Sequence, residues 1–498
     1  MDENVVFKKD GESSQSVDGQ APQVQPSPVS SPASLPPITP APEAGTVQPN
    51  VPVEVPKIQN DPLGPPPSES LIPTILKVVI GIFLFLVLVF IFSRFVLPLF
   101  KGKSEKVTLT YWGLWEGENI MKTVFSDFEK ENKNISVVYK KEDIRDYRDR
   151  LTTQVQNGNG PDIFLFHNTW LPMVSKLLIP LPNDIISSKD FQSIYYPSAK
   201  EDLVANGAIY GLPTGTDTLS LFINLDILKA GGVEVPKTWD EFSDVARKLT
   251  VKDEMGKIKT AGAALGTFDN VTHASDVVSL LFVQNGANIK NLSQNPQNAS
   301  DALSFYASFV KDGANVWDGT LDPSVLAFAK GNLAMYFGYS WDIFTIKSIN
   351  PELNFSIFDT PHLPNRNFTI ASYWAQGVSI KSKHQKEALL LMKFLSKKET
   401  MQKLFTETSK TRLFGEPYAR VDLADTLKDN KLVYPFVSQA PNAVSSFFAS
   451  DTYDNGLNNQ MNSYLGNAVR SVLGNTSPQS AVETLSAGVS QVLKQYGQ

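Results

Sequence analysis

The chain has 498 residues, which the usual domain length divides into roughly two to four units, and its formal net charge is −6. It contains no cysteine, which excludes disulfides, zinc–thiolate sites, cysteine nucleophiles and thioether-linked lipid. Residues 1–70 carry nine acidic and three basic residues, so the rest of the chain is electrically neutral and has no basic field for nucleic acid.

Residues 1–70 form a distinct N-terminal segment. It holds fifteen of the 33 prolines and neither Trp nor Tyr, so it cannot bury enough apolar surface to fold alone. We expect a disordered, Pro-rich, acidic tail. Its Pro-x-x-Pro spacings leave open two roles, a ligand for a partner's aromatic groove or a solvated leader without a site.

An apolar segment follows at Ile75–Leu99. Its centre, Val78–Phe92, carries no charge, and Lys77 and Arg94 flank it where their side chains can reach the two membrane interfaces. The segment starts far from the N-terminus and does not end in small residues, so we predict an uncleaved transmembrane helix within 71–100. The alternatives are a signal peptide and a buried core helix.

The chain beyond the apolar segment alternates strand-like and helix-like segments. Val107–Trp112 has the alternation of a strand, Glu118–Glu131 has helical spacing, and Ile163–Phe166 is a continuous apolar run typical of a buried strand. This alternation predicts an α/β fold with a parallel sheet, whose ligand site lies beyond the carboxyl ends of the strands. Those ends fall at residues 112–116 and 167–170.

The segment Ile209–Lys229 contains two short apolar runs joined by a polar linker. Pro213 fixes one backbone angle of the linker, Gly215 frees another, and Asp217 lies between the runs. If each run belongs to a different lobe, the linker is a hinge at the floor of a cleft and Asp217 faces the ligand. The alternative is a surface loop with one solvated carboxylate.

Two further segments predict secondary-structure elements later in the chain. Thr238 is a good helix N-cap, and Glu241, three residues later, completes a capping box. A predicted strand at Leu333–Phe337 leads directly to Tyr339 and Trp341.

The sequence contains no constellation typical of an enzyme. The four histidines are widely separated, no nucleotide-binding or hydrolase motif is present, and the paired carboxylates lie in helical settings where solvent exposure is the simpler explanation. We therefore predict a binding protein with no catalytic residue, no metal and no cofactor.

Aromatic residues at strand ends are the strongest indication of a site. Their flat apolar faces and polar edges suit a ligand with C–H faces and a rim of hydroxyls, and nearby acidic and amide groups can bind those hydroxyls. The predicted ligand-binding residues are Trp112, Trp115, Glu116, Phe166, Asn168, Trp170, Asp217, Tyr339, Trp341 and Trp374.

Several short motifs occur in an order typical of one family. They are Gly160–Ile163, Tyr210–Thr214, Leu221–Asp226, Pro236–Glu241, Phe328–Met335 with Trp341, and Gly377–Ile380 followed by Lys386–Ala388 and Phe394–Leu395. From Val107 onward the chain resembles the extracellular solute-binding proteins of ABC importers, in the family 1 group that includes binders of maltose and other sugars.

The resemblance implies a two-lobe, type II periplasmic-binding-protein-like fold, with crossings near 214–218 and 361–364. The expected units are a disordered tail 1–70, an anchor helix 71–100, a linker 101–106, lobe 1 at 107–216 and 364–408, and lobe 2 at 217–363 and 409–498. The motif positions imply that Asp217, Trp341 and the loops at 112–116 and 166–170 contact the ligand, with Trp374 close by.

The resemblance also implies a function. We expect a monomer, with no nucleic acid partner, that binds a carbohydrate or related polyol and delivers it to the permease of an ABC importer. A solute catcher works only outside the cell, so we predict a single-pass membrane protein with a cytoplasmic tail. This orientation opposes the basic residues that follow the apolar segment, but long domains translocate largely regardless of flanking charge.

Three alternatives stay open at this point. The same fold binds a peptide, polyamine or anion in the first, and the protein is a surface glycosidase in the second. In the third it is a surface sensor or glycan-binding protein without transport.

Overall fold

The computed structural model describes residues 72–96, 106–311 and 315–498, and the chain divides into two units at Phe92 and Ser93. The tail predicted at 1–70 and most of the linker predicted at 101–106 lie outside the described residues.

The first unit contains one long apolar helix. Helix α1 spans Ile72–Ile91 and is followed by a π-helical turn at Phe92–Val96. The stretch Leu76–Arg94 has a mean hydropathy of 2.9 over 19 residues, and its side chains are exposed. The predicted apolar helix is present, and by length and composition it can cross a membrane. Its role as a transmembrane anchor stays a prediction.

The second unit contains all the described strands. They are β1 Val107–Gly113, β2 Ile135–Lys141, β3 Ile163–His167, β4 Val204–Ala205, β5 Ala208–Ile209, β6 Leu212–Pro213, β7 Ser220–Asn224, β8 Val251–Lys252, β9 Ile258–Ala263, β10 Leu333–Gly338, β11 Phe355–Phe358, β12 Thr369–Ala371, β13 Trp374–Val378 and β14 Ala443–Ser445.

Helices alternate with these strands. They are α2 Glu118–Glu131, α3 Tyr147–Gln156, α4 Leu171–Val174, α5 Ser188–Ile194, α6 Pro197–Leu203, α7 Leu225–Gly231, α8 Trp239–Leu249, α9 Ala274–Gln284, α10 Pro296–Ser308, α11 Ser324–Ala329, α12 Asp342–Ile349, α13 Gln385–Leu395, α14 Lys398–Ser409, α15 Tyr434–Ser438, α16 Leu457–Leu473 and α17 Pro478–Gln495. Short 3₁₀ helices lie at Asn168–Trp170, Ser175–Leu177, Val421–Leu427 and Ala440–Asn442.

Two five-stranded sheets form the centres of two lobes. Lobe 1 is built on the order β2-β1-β3-β13-β6, in which β1 pairs parallel with β2 and β3, and β13 runs antiparallel to β3. Lobe 2 is built on the order β11-β7-β10-β9-β8, in which β10 pairs parallel with β9 and antiparallel with β7. The predicted α/β class is confirmed, and every residue of β3 is buried, as its continuous apolar run indicates.

The predicted capping box at the start of α8 is confirmed. The hydroxyl of Thr238 accepts from the backbone N–H of Glu241, and the Glu241 carboxylate accepts from the N–H of Thr238. This reciprocal pair satisfies helix-end donors that would otherwise need water.

Within the described residues the chain passes between the lobes three times. The first passage follows β6 at Asp217–Leu219, where the N–H of Leu219 donates to the carbonyl of Ile370. The second passage is at Thr369–Ser372, and the third is β14, which pairs parallel with β12. The three passages therefore form one hydrogen-bonded hinge.

Two boundaries differ from those predicted. The second crossing lies at Thr369–Ser372 rather than at 361–364, because β12 continues directly from lobe 2 into β13 of lobe 1. Residues 409–442 do not return to lobe 2 at once: Arg420 bridges to Tyr195, and the 3₁₀ helix that follows packs against α5 of lobe 1. The chain regains lobe 2 at α15, where the Phe436 ring lies 5.9 Å from that of Phe222 and the Gln439 amide donates to the Ser220 hydroxyl of β7, and it then continues through β14.

Candidate ligand-binding cleft

Trp374 is the centre of an aromatic cluster in lobe 1. Trp374 is the first residue of β13 and pairs with His167 at the end of β3. Its ring therefore contacts aromatic residues in the loops that follow the parallel strands β1 and β3. The ring centroids of Trp115 and Trp170 lie 5.4 and 5.2 Å from that of Trp374, both edge to face. Trp115 is 38% exposed and Trp374 is half-buried, so these two rings offer surface to a ligand.

Two predicted residues lie in the lobe 1 sheet rather than in a loop. Trp112 is half-buried within β1, with the Lys140 amine 5.2 Å from its ring centroid. Phe166 is fully buried in β3 and packs against Gly211 and Gly377. Phe166 therefore supports the site from the core, which corrects its prediction as a ligand contact.

Asn168 connects lobe 1 to the hinge. It is buried, its amide N–H₂ donates to Asp202 at 3.0 Å and to the Ser445 hydroxyl at 2.9 Å, and its carbonyl oxygen accepts from the N–H of Tyr373. Burial raises the pKa of Asp202 to about 6. The polar groups of Asn168 are thus used within the protein, which corrects its assignment as a ligand contact and makes it a positioning residue.

Trp170 is also fully buried, and its indole N–H is a buried donor with no acceptor among the described residues. Beside it, burial lowers the pKa of His167 to about 3, so the imidazole is neutral. Its ring nitrogens lie 2.8 Å from the Thr169 hydroxyl and 3.1 Å from that of Ser372.

Lobe 2 presents a stacked aromatic pair at the end of β10. The rings of Tyr339 and Trp341 lie 4.4 Å apart at an interplanar angle of 15°. Tyr339 is fully buried and its hydroxyl donates to Asp276 at 3.0 Å, whereas Trp341 is half-buried. Tyr339 therefore supports the Trp341 ring, which is the member of the pair that a ligand can reach.

A charged cluster beneath this pair is absent from the sequence prediction. His273 is fully buried, with Nε2 2.9 Å from a carboxylate oxygen of Asp342 and Nδ1 2.7 Å from the Ser450 hydroxyl. Burial alone lowers the pKa of His273, but the carboxylates of Asp342, Asp451 and Asp276 outweigh it and raise that pKa to about 9. His273 is a single histidine, and its partners Asp342 and Ser450 are distant along the chain. The sequence therefore contains no motif that predicts this cluster.

Asp217 lies in the hinge, as the sequence predicts, but it does not face open space. It is 1% exposed, one carboxylate oxygen accepts from the N–H of Thr218, and the other accepts from the N–H and the hydroxyl of Ser340. Burial raises the pKa of Asp217 well above its usual range. Its role is to fasten the first crossing to the loop that carries Trp341, which corrects its assignment as a ligand contact.

Glu116 takes part in an ion-pair cluster at one edge of lobe 1. The guanidinium of Arg412 lies 3.1 Å from Glu116 and 3.2 Å from Glu416, and Glu116 also accepts from Thr408. Both Glu116 and Arg412 stay partly exposed, so they can still exchange hydrogen bonds with a ligand.

A loop before α16 was also missed. Asp451, Tyr453 and Asn455 all adopt left-handed backbone conformations, with φ of 53°, 52° and 46°. Non-glycine residues in this region cost free energy and concentrate at functional sites. Tyr453 is 49% exposed, and the alternation of Asp and Asn with an aromatic residue is the only sequence signal for this loop.

A separate cavity of about 950 Å³, with a mixed polar and apolar lining, lies beside the hinge strand β14. Among the predicted site residues only Asn168 lines it, together with side chains such as Arg148, Asp202, Lys290 and Phe447. Within the described ranges, no group of three or more His, Asp or Glu side chains has the arrangement needed to hold a metal ion.

The family match decides the identity of the fold. Residues 123–450 match the model of the bacterial extracellular solute-binding protein family. The chain belongs to that family. This match confirms the resemblance inferred from the sequence motifs.

Two relatives of this solute-binding protein cover most of its two lobes. The multiple sugar-binding protein of Streptococcus mutans serotype c is 26% identical over 321 residues, which are 61% of this chain and 74% of that protein. The galactooligosaccharide-binding protein of Bacillus subtilis is 25% identical over 324 residues, which are 62% of this chain and 73% of that protein.

Solved structures show the same fold. An ABC transporter solute-binding protein of Thermotoga lettingae, bound with α-D-tagatose, superposes with a TM-score of 0.59. It is 23% identical and covers 78% of this chain and 100% of its own. At this identity the similarity establishes the two-lobe architecture of this solute-binding protein.

Proposed function

We propose that this solute-binding protein captures a carbohydrate, an oligosaccharide or related polyol, between its two lobes and delivers it to the permease of an ABC importer. The observation that carries the proposal is that each lobe presents partly exposed tryptophan surface next to charged groups. Trp115 and Trp374 do so in lobe 1, and Trp341 does so in lobe 2.

The chemistry of these surfaces fits a sugar. An indole face matches the C–H face of a pyranose, and Glu116 and Arg412 supply an acceptor and donors for hydroxyl groups. A dissociation constant near micromolar corresponds to about −8 kcal/mol, which two or three stacked rings and several hydrogen bonds can provide. The names of both relatives, which refer to sugars, support the same ligand class.

The main alternative keeps the fold and changes the solute to a peptide, polyamine or anion. An anion site needs converging cations or a free helix N-terminus. Arg412 is already paired with two carboxylates, Glu116 and Glu416, and the Lys141 amine of the site region donates to the Trp115 carbonyl. This arrangement favours a neutral ligand. A sensor or glycan-binding protein without transport remains the other alternative.

We further propose that the protein is monomeric, has no enzymatic activity and is anchored by α1, with the lobes outside the cell and the tail inside. The family match supports an extracellular site of action, and the length and hydropathy of α1 support the anchor.

A thermal-shift screen tests the ligand class. The lobes, expressed from residue 107 onward, are heated with mono- and oligosaccharides, amino acids, polyamines and phosphate. A saturating ligand at 100 times its dissociation constant stabilises the folded state by about 2.7 kcal/mol, which gives a clear rise in Tm. A rise with an amino acid or polyamine and none with any sugar would contradict the proposal.

A further inference from the structure

The cavity of about 950 Å³ beside β14 lies between the two lobes. Lobe 1 contributes residues of α4 and α6 to its walls, lobe 2 contributes the loop after α9, and the hinge contributes β14. The tryptophans proposed to contact the sugar, Trp115, Trp341 and Trp374, do not line it. The cavity is therefore distinct from the proposed sugar-binding cleft.

Two consecutive residues show on which side of the hinge the cavity lies. The ring of Trp374 packs in the aromatic cluster of lobe 1, whereas the hydroxyl of Tyr373 donates to Asp202, which lines the cavity. Successive side chains at a strand point to opposite faces. The cavity and the aromatic cluster thus lie on opposite sides of the segment that connects β12 to β13.

Asp202 of lobe 1 brings a carboxylate with one free oxygen to this cavity. Its Oδ2 atom accepts from the amide of Asn168 and from the hydroxyls of Tyr373 and Ser445, at 3.0, 2.6 and 2.6 Å. Its Oδ1 atom accepts no hydrogen bond from any described residue and is not enclosed by them. With a pKa of about 6, the group is largely ionised at pH 7.5. Three donors therefore fix the carboxylate while one oxygen stays available to a ligand.

The loop after α9 brings an ammonium group of lobe 2 to the same cavity. The amine of Lys290 lies 5.6 Å from the centroid of the Phe447 ring, and within the described ranges it has neither a hydrogen bond nor an ion pair. Its charge lowers the pKa of Asp202, yet the two groups do not form an ion pair with each other. A free carboxylate oxygen and a free ammonium group thus line one cavity from different lobes.

The other charged side chains of the cavity are less suited to hold a ligand. Arg148 is already paired with Asp149. Glu201, Lys176 and Lys494 are exposed, so water screens their charges. Asp202 and Lys290 are therefore the pair from which we derive the ligand.

From this geometry we propose that the cavity is a second binding site, for a small zwitterion, either an amino acid or a short peptide. The ammonium group of the ligand binds Oδ1 of Asp202 and its carboxylate binds the amine of Lys290, both through charge-assisted hydrogen bonds. The partly buried side chains of Ile289, Val444 and Phe447 offer apolar surface to a hydrophobic side chain of the ligand. A neutral carbohydrate would leave both charges of the cavity uncompensated.

A series of blocked ligands tests the proposal. Full-length protein, purified in detergent, is titrated by calorimetry with L-leucine, Leu-Leu and Leu-Leu-Leu, and with the N-acetyl derivative and the C-terminal amide of each. We expect at least one of the three zwitterions to bind with a dissociation constant of about 1 mM or lower, and both of its blocked forms to bind at least tenfold more weakly. The length that binds most tightly distinguishes an amino acid from a peptide.

Two variants locate the binding. Lys290→Gln removes the ammonium group, and its control is Lys252→Gln, an exposed lysine of lobe 2 on β8, outside the cavity. Asp202→Asn removes the negative charge but keeps an oxygen for the three donors. We expect Lys290→Gln and Asp202→Asn each to weaken binding of the zwitterion at least tenfold, while Lys252→Gln and Trp341→Ala bind it as wild type does.

The outcomes separate this site from the sugar-binding function, on which it does not depend. If no zwitterion binds, or if the blocked forms bind equally well, the second site is wrong. It is also wrong if Trp341→Ala abolishes the binding and Lys290→Gln does not, because the zwitterion then occupies the cleft. A saccharide titration of Lys290→Gln should match that of wild type. A thermal melt checks folding, and Lys290→Gln decides the question if Asp202→Asn unfolds.

Discussion

Trp341 is the residue on which the proposed ligand contact depends most directly. Its ring is held by stacking on buried Tyr339 and leaves part of its surface open. We expect Trp341→Ala to weaken sugar binding at least tenfold, a loss of about 1.4 kcal/mol or more, because the stacked C–H contact disappears. Calorimetric titration with the saccharide found in the thermal-shift screen measures the change.

A conservative variant separates stacking from folding. Trp341→Phe keeps an aromatic face over Tyr339 and should lose less affinity than Trp341→Ala, while the Tm of both variants stays near that of wild type. An unchanged titration for Trp341→Ala would remove this residue from the site.

For single residues, the sequence predicted the position in the fold better than the partners of the side chain. Asp217 does lie in the hinge, yet its carboxylate is occupied by Ser340, which is 123 positions away along the chain. Asn168 similarly binds Ser445, 277 positions away. Residue type and local spacing cannot reveal such distant partners, so both were assigned to the ligand instead of to the scaffold.

At the scale of a single helix, the capping box of α8 gives a stability prediction. Thr238→Ala removes the hydroxyl that accepts from the N–H of Glu241 and should lower the free energy of unfolding by about 1 kcal/mol. Urea denaturation followed by circular dichroism measures this loss. Thr238→Ser keeps the acceptor and should recover most of it; equal losses in both variants would contradict the capping role.

His273 gives a pH dependence that belongs to the helices and the loop around it. Its pKa is raised to about 9 in the folded protein, against about 6.5 when unfolded. The folded state therefore holds the proton more tightly, so this stabilisation is complete below pH 6.5 and is lost as pH rises through 9. The difference corresponds to about 3 kcal/mol as an order of magnitude.

Denaturation at pH 6, 7.5 and 9.5 measures this effect. Wild type should lose stability steadily over that range, and the loss should be smaller in His273→Gln, whose side chain does not titrate. The buried carboxyls of Asp276 and Asp451, which face the imidazole, have pKa values raised by burial, so they also contribute to the pH profile and do so in wild type and variant alike. An identical profile for the variant would show that His273 is not the group responsible.

Elements were easier to predict than the connections between them. Apolar patterns and the capping box depend only on neighbours in the chain; the patterns gave β1, β3 and α2 correctly, and the capping box gave the start of α8. The second crossing was predicted near 361–364, whereas its position is set by the pairing of β12 with β14, over 70 residues later. The loop at 451–455 has no periodicity at all, and its conformation depends on tertiary contacts to His273 and Asp146.

At the scale of the whole molecule, the proposed anchor gives a test of orientation. Protease added to intact cells should remove the lobes and leave a membrane-bound fragment that contains α1 and the tail. Immunoblotting with separate tags at the N-terminus and at the C-terminus follows the two parts. Loss of the N-terminal tag with a protected C-terminal tag would reverse the orientation, in agreement with the basic residues after the apolar segment.

The three-passage hinge also limits how this gene can be dissected. Each lobe is assembled from separate stretches of polypeptide, and the last stretch, after β14, supplies α16 and α17, which pack against each other and against α10. A nonsense codon near residue 445 would thus remove two helices from a lobe whose five-stranded sheet is translated more than eighty codons earlier. Neither lobe can be cloned as a contiguous fragment, and ribosomes must translate α16 and α17 before lobe 2 can complete its interior.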